Sequence, residues 1–325
     1  MVIETQSRVY TNNAIQKGPA YYEYSLYKLE YGNIDTYKIK DYIGKGKYSQ
    51  VFKGTTKDRN LCVIKVLKPV REKKICREAK ILKTLVGLPN VVQLLDIVKD
   101  PESGTRALVF KYQKHEETRA LFKRFTLEDI RYYSREILKT LDSVHSLGIM
   151  HRDLKPHNII IDHDSKEIKI IDWGLAEYYI PGTSYSVGVA SMHFKAPELL
   201  VNYRHYDYSL DLWTFGCVLC EMVLKRMPMF NGSSNEDQLA KIVKVLGKDK
   251  FTFYIQKYGI IPSPNLLACI KNCPKEGLWP KLKEEASKTF GAHTKQIFEV
   301  LEGVLQYDHQ NRLTAQECLN LPFFQ

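Results

Sequence analysis

The spacing of apolar positions changes twice along the chain, and those changes divide it. From Tyr37 to Leu67, short apolar runs surround a glycine turn. The first is Ile43-Gly44-Lys45-Gly46-Lys47-Tyr48-Ser49-Gln50-Val51-Phe52 and the second Leu61-Cys62-Val63-Ile64-Lys65-Val66-Leu67, a pattern that predicts an antiparallel sheet. Ile75, Ala79, Leu82 and Val86 then recur at helical spacing, predicting a helix over Arg71 to Leu85 that stops at Leu88-Pro89-Asn90. Two more strand-like runs, Val91 to Val98 and Ala107 to Tyr112, flank the turn Asp100-Pro101-Glu102-Ser103-Gly104.

From Thr126 onward the period is helical. Ile130, Tyr133, Ile137, Leu141 and Val144 mark one face, with Thr126 and Asp129 as a start signal. Ile159-Ile160-Ile161 and Ile168-Lys169-Ile170-Ile171 read as a hairpin, and residues 209–224, apolar nearly all round, as a helix through a core. Residues 1–36 are rich in tyrosine (Tyr10, Tyr21, Tyr22, Tyr24, Tyr27, Tyr31), which predicts a segment docked on the rest, since disordered tails carry few aromatics. The expected organisation is α+β: a docking segment 1–36, a small lobe 37–113 with an antiparallel sheet plus one helix, and a mainly helical lobe 114–325.

Composition narrows the class. Hydrophobic residues at 44% and charged residues at 26% fit an ordinary globular protein rather than a disordered or fibrous one. No apolar run is long enough to span a bilayer and no signal-peptide layout opens the chain, so the expected setting is intracellular, without a membrane partner. Seven cysteines without a pattern argue for reduced thiols, and Cys217 with Cys220 lies in an apolar run that favours burial over zinc. The net charge of +11 favours anionic partners, polyanions included, without choosing among them.

The chemistry is concentrated in His151-Arg152-Asp153-Leu154-Lys155-Pro156-His157-Asn158 and, fourteen residues later, Asp172-Trp173-Gly174. An Asp that orients a hydroxyl, a Lys that offsets phosphoryl charge, and an Asn and a second Asp that hold metal ions are what transfer of a γ-phosphoryl group requires. Here those are Asp153, Lys155, Asn158 and Asp172. Lys65 stands where its ammonium could reach α- and β-phosphates, and Glu78 is its natural partner. Gly44 and Gly46 form the phosphate loop, although Ser49 replaces the usual third glycine. Glu198, in Ala196-Pro197-Glu198, is expected to pair with Arg312, and Asp211 to anchor the catalytic loop.

This order of motifs resembles the eukaryotic protein kinases over about residues 37–322. Trp173 in the metal-binding triplet, Leu67-Lys68-Pro69-Val70, Asp172-Trp173-Gly174-Leu175-Ala176-Glu177 and Tyr307-Asp308-His309-Gln310 narrow the resemblance to the catalytic alpha subunits of casein kinase II. The resemblance implies a two-lobed Ser/Thr kinase that uses Mg²⁺ with ATP, and also GTP. It further implies acidic substrates, activity without activation-segment phosphorylation, a regulatory beta subunit dimer as partner, and residence in cytoplasm and nucleus. It also implies that Tyr22 and Tyr24 contact the region of Glu177 and Tyr179. Lys155 separately favours Ser/Thr over Tyr specificity.

Within that frame Val51, Val63, Phe110, Ile160 and Ile171 are expected to wall the purine, with Tyr112 in the hinge. Arg71, Lys73, Lys74 and Arg77, at the start of a helix, are expected to attract acidic substrate residues, together with Lys195. Departures qualify this. Gly188 and Met192 stand where the family carries arginines, Glu72 and Cys76 where it carries lysines, and the hinge keeps only Phe110. The expected result is weaker preference for an acidic residue directly after the target hydroxyl. Three rivals remain: a pseudokinase scaffold, disfavoured by the complete catalytic set, a kinase of the cyclin-dependent or mitogen-activated group, and a basic nucleic-acid-binding protein.

Overall fold

The structure, a computed structural model, describes residues 3–325. Five strands form one antiparallel sheet: β1 (Tyr37–Lys45), β2 (Ser49–Thr56), β3 (Leu61–Leu67), β4 (Leu94–Lys99) and β5 (Arg106–Lys111), in the order β1-β2-β3-β5-β4. Register aligns Val51 with Lys65, Lys65 with Leu108, and Val63 with Phe110, so these five side chains share one face. On the opposite face Ile64, Val66, Ala107 and Val109 form a separate small apolar cluster with Cys62 and Val98.

The single long helix of this lobe runs Glu72–Thr84 and buries Ile75, Ala79 and Leu82 as its period requires. Val86 departs from that stripe: it lies beyond the last helical turn, where the chain bends into Gly87 at φ 86°, and is 63% exposed.

The second lobe is mainly helical. Helix Leu127–Ser146 starts at the Thr126 capping box, in which Thr126 Oγ1 accepts from Asp129 N–H and the Asp129 carboxylate accepts in return from Thr126 N–H. Helix Ser209–Leu224 is buried along nearly its whole length, Cys217 and Cys220 included, and all seven cysteines are free thiols. Short strands carry the loops that matter: β6 (Ile149–Met150), β7 (Ile159–Asp162), β8 (Glu167–Ile170) and β9 (Glu177–Tyr178). β7 pairs with β8 as the sequence suggests, whereas β6 pairs with β9, which lies well beyond that hairpin. Two-residue strands have no period to read.

The N-terminal segment is docked along both lobes. On the helical lobe Ser7 N–H donates to Tyr179 Oη at 2.8 Å, Tyr10 Oη to Asp142 at 2.9 Å and Tyr21 Oη to Leu147 O at 2.7 Å; on the small lobe Ala20 O accepts from Lys80 Nζ at 2.7 Å and Gly32 N–H donates to Ile97 O at 2.8 Å. No helix among the described residues is long and apolar enough to cross a membrane.

Candidate active site

The site is built around Asp211, fully buried in helix Ser209–Leu224. Its carboxylate accepts the N–H groups of His151 and Arg152, each at 2.8 Å, and His145 Nε2 lies at 2.9 Å. Burial pushes the Asp211 pKa up, but the contact with His145 and these amide bonds outweigh it and hold the carboxyl below its usual range. This grip fixes the catalytic loop with Arg152 at φ 66°, a left-handed conformation that costs a non-glycine residue free energy and persists only when its surroundings enforce it. His151 completes the brace: its Nδ1 accepts Asp153 N–H at 3.2 Å, Nε2 lies 3.2 Å from Ile171 O, and the ring meets Trp173 edge-on.

Held this way, Asp153 points into the space between the lobes. Lys155 Nζ lies 2.7 Å from Asp153 Oδ2, and Asn158 Nδ2 donates to Asp153 O at 2.9 Å. Asp153 Oδ1 accepts from Ser191 N at 2.8 Å and Ser191 Oγ at 2.9 Å, and Lys155 Nζ also reaches Ser191 Oγ at 2.7 Å. Sequence reasoning gave Ser191 no role. Its position five residues before Ala196-Pro197-Glu198 was the available signal.

Lys65 reaches the same space from β3. Its ammonium lies 2.7 Å from Glu78 Oε1 and 2.8 Å from Asp172 Oδ1, with 14% of its side chain exposed. Burial by itself would lower the Lys65 pKa; the two carboxylates outweigh it and raise the pKa well above its ordinary value. Burial likewise works against the Asp172 carboxylate, and Lys65 overcomes it, leaving that pKa depressed. The contribution of Asp172 is therefore present above about pH 4 and lost as acid carries the pH through its lowered folded pKa. That of Lys65 is present below about pH 10 and lost only as the pH rises through its raised folded pKa.

Asp172 adopts φ 59°, and Ile171 N–H donates to Asn158 O at 2.9 Å, which sets Asn158 beside it. The Asp172 side chain is 47% exposed, and its Oδ2 and the Asn158 Oδ1 accept no hydrogen bond among the described residues. Two free oxygen donors of this kind fit Mg²⁺, which keeps waters and substrate phosphates in most of its positions. They are too few for an all-protein cage, and among the described residues no cluster of three or more His, Cys, Asp or Glu could hold a metal ion.

A cavity of about 320 Å³ separates the glycine turn from the catalytic loop, lined among others by Gly46, Lys65, Glu78, Asp153, Asp172 and Ser191. On the sheet side Val51, Val63 and Phe110 share the face of Lys65, and Ile160 and Ile171 are half-buried on and beside the β7–β8 hairpin. Gly44 lies in β1 opposite Val51. In the hinge, the Lys53 ammonium stands 5.0 Å from the Tyr112 ring centre, while Gln113 and Lys114 bond Glu167 and Asp164 of the hairpin.

The expected basic cluster divides. Arg71, Lys73 and Lys74 are exposed, Lys73 over the Tyr24 ring and Lys74 over the Tyr48 ring. Arg77 is not on that surface. It turns inward, donating to Gly174 O at 2.9 Å and pairing with Glu177 Oε2 at 3.0 Å, so both terminal nitrogens are committed within the protein and the remaining Nε is buried. Its position in the helix sets it between the buried Cys76 and Glu78, facing Gly174 and Glu177 at the start of the activation segment, the stretch from Asp172 to Glu198. Lys195 Nζ donates to Asn235 Oδ1 at 3.0 Å. Tyr24 Oη reaches Glu177 at 3.3 Å as the resemblance implies, and it is Tyr21, rather than Tyr22, whose ring packs on Tyr178.

Glu198 and Arg312, both fully buried, form the expected pair through two contacts of 2.6 Å. A sheet with one helix, a helical lobe and, in the cleft between them, a lysine held by a glutamate opposite a braced aspartate define a two-lobed protein kinase. The model of the protein kinase domain family matches residues 37–324, and the chain belongs to that family.

Proposed function

We propose that the protein is a Ser/Thr kinase that transfers the γ-phosphoryl group of ATP, with Mg²⁺, to hydroxyls in acidic protein segments, in the manner of the casein kinase II alpha subunits it resembles. The observation that carries this reading is the contact of Ser191 Oγ with Asp153 Oδ1 at 2.9 Å and Lys155 Nζ at 2.7 Å. A serine hydroxyl here already meets an accepting carboxylate and an ammonium, the two groups an incoming Ser or Thr requires.

In the reaction Asp153 would accept the hydroxyl proton as the new O–P bond forms, while Lys155 offsets negative charge on the group in transfer. Lys65, fixed by Glu78, would orient the α- and β-phosphates, and Asn158 and Asp172 would hold the metal through their free oxygens. Bound there, Mg²⁺ would supply positive charge that offsets the charge of the triphosphate. Val51, Val63, Phe110, Ile160 and Ile171 would enclose the purine, with Tyr112 alongside.

Arg71, Lys73, Lys74 and Lys195 support an acidic substrate, with reduced selection directly after the target residue because Gly188 and Met192 carry no charge. Glu177, an acid already paired with Arg77 and close to Arg152, supports activity without an added phosphate. On the outer face of the sheet Ile39 and Tyr42 are more than half exposed beside Phe52, an apolar patch suited to a regulatory beta subunit dimer. Use of GTP, and residence in cytoplasm and nucleus, rest on the resemblance alone.

Bacterially expressed protein should phosphorylate an acidic Ser/Thr peptide library with ATP and Mg²⁺, and Asp172→Asn should abolish it. Labelling of tyrosine peptides alone, or equal activity in the Asn variant, would overturn the proposal. A wild type that binds nucleotide without transferring phosphate would favour the scaffold reading.

A further inference from the structure

Lys68, one residue past the end of β3, grips the glycine turn at three points. Its N–H donates to Tyr48 O, and its ammonium donates to Gly46 O and to Lys47 O, each at 3.0 Å. The turn is also touched from the helix side, where the Lys74 ammonium stands 4.6 Å from the Tyr48 ring centre. Gly46, Lys47, Tyr48 and Lys74 line the cleft cavity, whereas Lys68 is not among its lining residues.

In a trans peptide the C=O and the N–H that follows it point in opposite directions. Fixing the carbonyls of Gly46 and Lys47 toward Lys68 therefore turns the N–H groups of Lys47 and Tyr48 away from it. Neither of these amides donates a hydrogen bond among the described residues, while the N–H of Gly46 is already used by Ser49 O at 2.9 Å. Two backbone donors are thus held, unpaired, in a turn that roofs the cavity.

We propose that Lys68 is a positioning residue for the nucleotide: by holding the two carbonyls it presents the Lys47 and Tyr48 amides to phosphate oxygens before the ligand arrives. The inference rests on the nucleotide-binding reading given above. Its physical content is preorganisation, because a turn already fixed loses less conformational freedom on binding than one that must order at that moment. The need is greater here because Ser49 stands where a third glycine is usual. Unlike Lys73, whose ammonium lies over the half-buried Tyr24 ring, Lys68 has its charge directed at backbone and has no carboxylate partner among the described residues.

The test uses the full chain with Lys68→Met and Lys68→Arg. Lys68→Met should raise both KM and Kd for ATP about five- to tenfold, the effect of one or two lost hydrogen bonds. Its kcat and its KM for an acidic peptide should change less than about twofold by the same arithmetic. Amide hydrogen exchange at 46–48 should quicken, and Lys68→Arg, which keeps donors, should restore most of the ATP affinity. Thermal melting of each variant controls for folding. An unchanged ATP KM in a folded Lys68→Met protein would overturn the inference. So would a rise confined to the peptide KM, which would assign Lys68 to the substrate surface. Wild-type protein that binds no ATP would instead bring down the underlying functional reading.

Discussion

Glu177→Gln tests whether an acid built into the chain keeps the activation segment ordered. The Glu177 side chain is 13% exposed, and its Oε2 takes Arg77 Nη1 at 3.0 Å and Tyr24 Oη at 3.3 Å, with Arg152 Nη2 at 3.6 Å. It therefore joins the helix of the small lobe, the catalytic loop and the N-terminal segment at one carboxylate. The bond to Arg77 is charge-assisted and mostly buried, worth about 1.5–3 kcal/mol. Arg152 lies beyond hydrogen-bond distance and keeps Leu175 O and Tyr206 Oη as partners, so it adds roughly 0.5–1 kcal/mol. An amide oxygen at the Oε2 position can still accept from Arg77 and Tyr24, but it carries no charge for the two guanidinium groups, and the amide nitrogen then meets the Tyr178 N–H that Oε1 accepts at 3.1 Å. The loss of about 2–4 kcal/mol falls on the ordered segment rather than on the whole fold. Because only the part exceeding the gap between ordered and disordered states reaches the population, kcat/KM should fall by about 10- to 100-fold. Steady-state phosphorylation of an acidic peptide measures it, alongside thermal melting that should drop by only a few degrees. Arg77→Gln should produce a similar loss, and the double variant little more, since both break one link. Wild-type kcat/KM in Glu177→Gln, or losses that simply add in the double variant, would refute the reasoning.

Two further expectations concern stability. Glu198→Gln leaves the fully buried Arg312 without its counter-charge, which should destabilise the chain by about 3–5 kcal/mol, while Glu198→Gln with Arg312→Met should recover part of that by removing the orphan; chemical denaturation of the three proteins decides it, and a double variant weaker than both singles would be the contrary result. Glu221, fully buried in helix Ser209–Leu224, has its pKa pushed up to about 7 by burial, with Arg119 pulling weakly the other way. Between about pH 4.5 and 7 the unfolded chain gives up that proton and the folded one keeps it, so stability falls across the window by an amount of order 3 kcal/mol. Glu221→Gln should therefore gain stability relative to wild type as the pH rises from 4.5 to 8; melting curves showing a difference independent of pH would contradict this.

How much of the site could be read in advance follows from what spacing encodes. Lys65, Glu78, Asp153, Asn158 and Asp172 were identifiable because phosphoryl transfer needs those residue types in that chain order, and the alternating and helical periods around them indicated a sheet, a helix and a hairpin to carry them. The structure sets Lys65, Glu78, Asp153 and Asp172 around one cavity, with Asn158 bonded to Asp153 behind them. The buried Glu198–Arg312 pair forms as expected, but with 48 Lys and Arg in the chain it was the order of kinase motifs, not spacing, that singled out the partner.

Other features were not written in any local pattern. Arg77 shares a helix face with Lys73 and Lys74, four and three residues back, yet it lies one turn further along the axis, and that step of about 5.4 Å brings it to Glu177 while they meet exposed surface. Ser191 and Lys68 are ordinary polar residues until the catalytic loop and the glycine turn are folded against them. The union of β6 with β9 joins two-residue strands that carry no period of their own. Residue type and period act between neighbours in the chain and are set before folding; the direction of a side chain, and what it meets, depends on groups tens or hundreds of residues away that become neighbours only when the two lobes close on their cores.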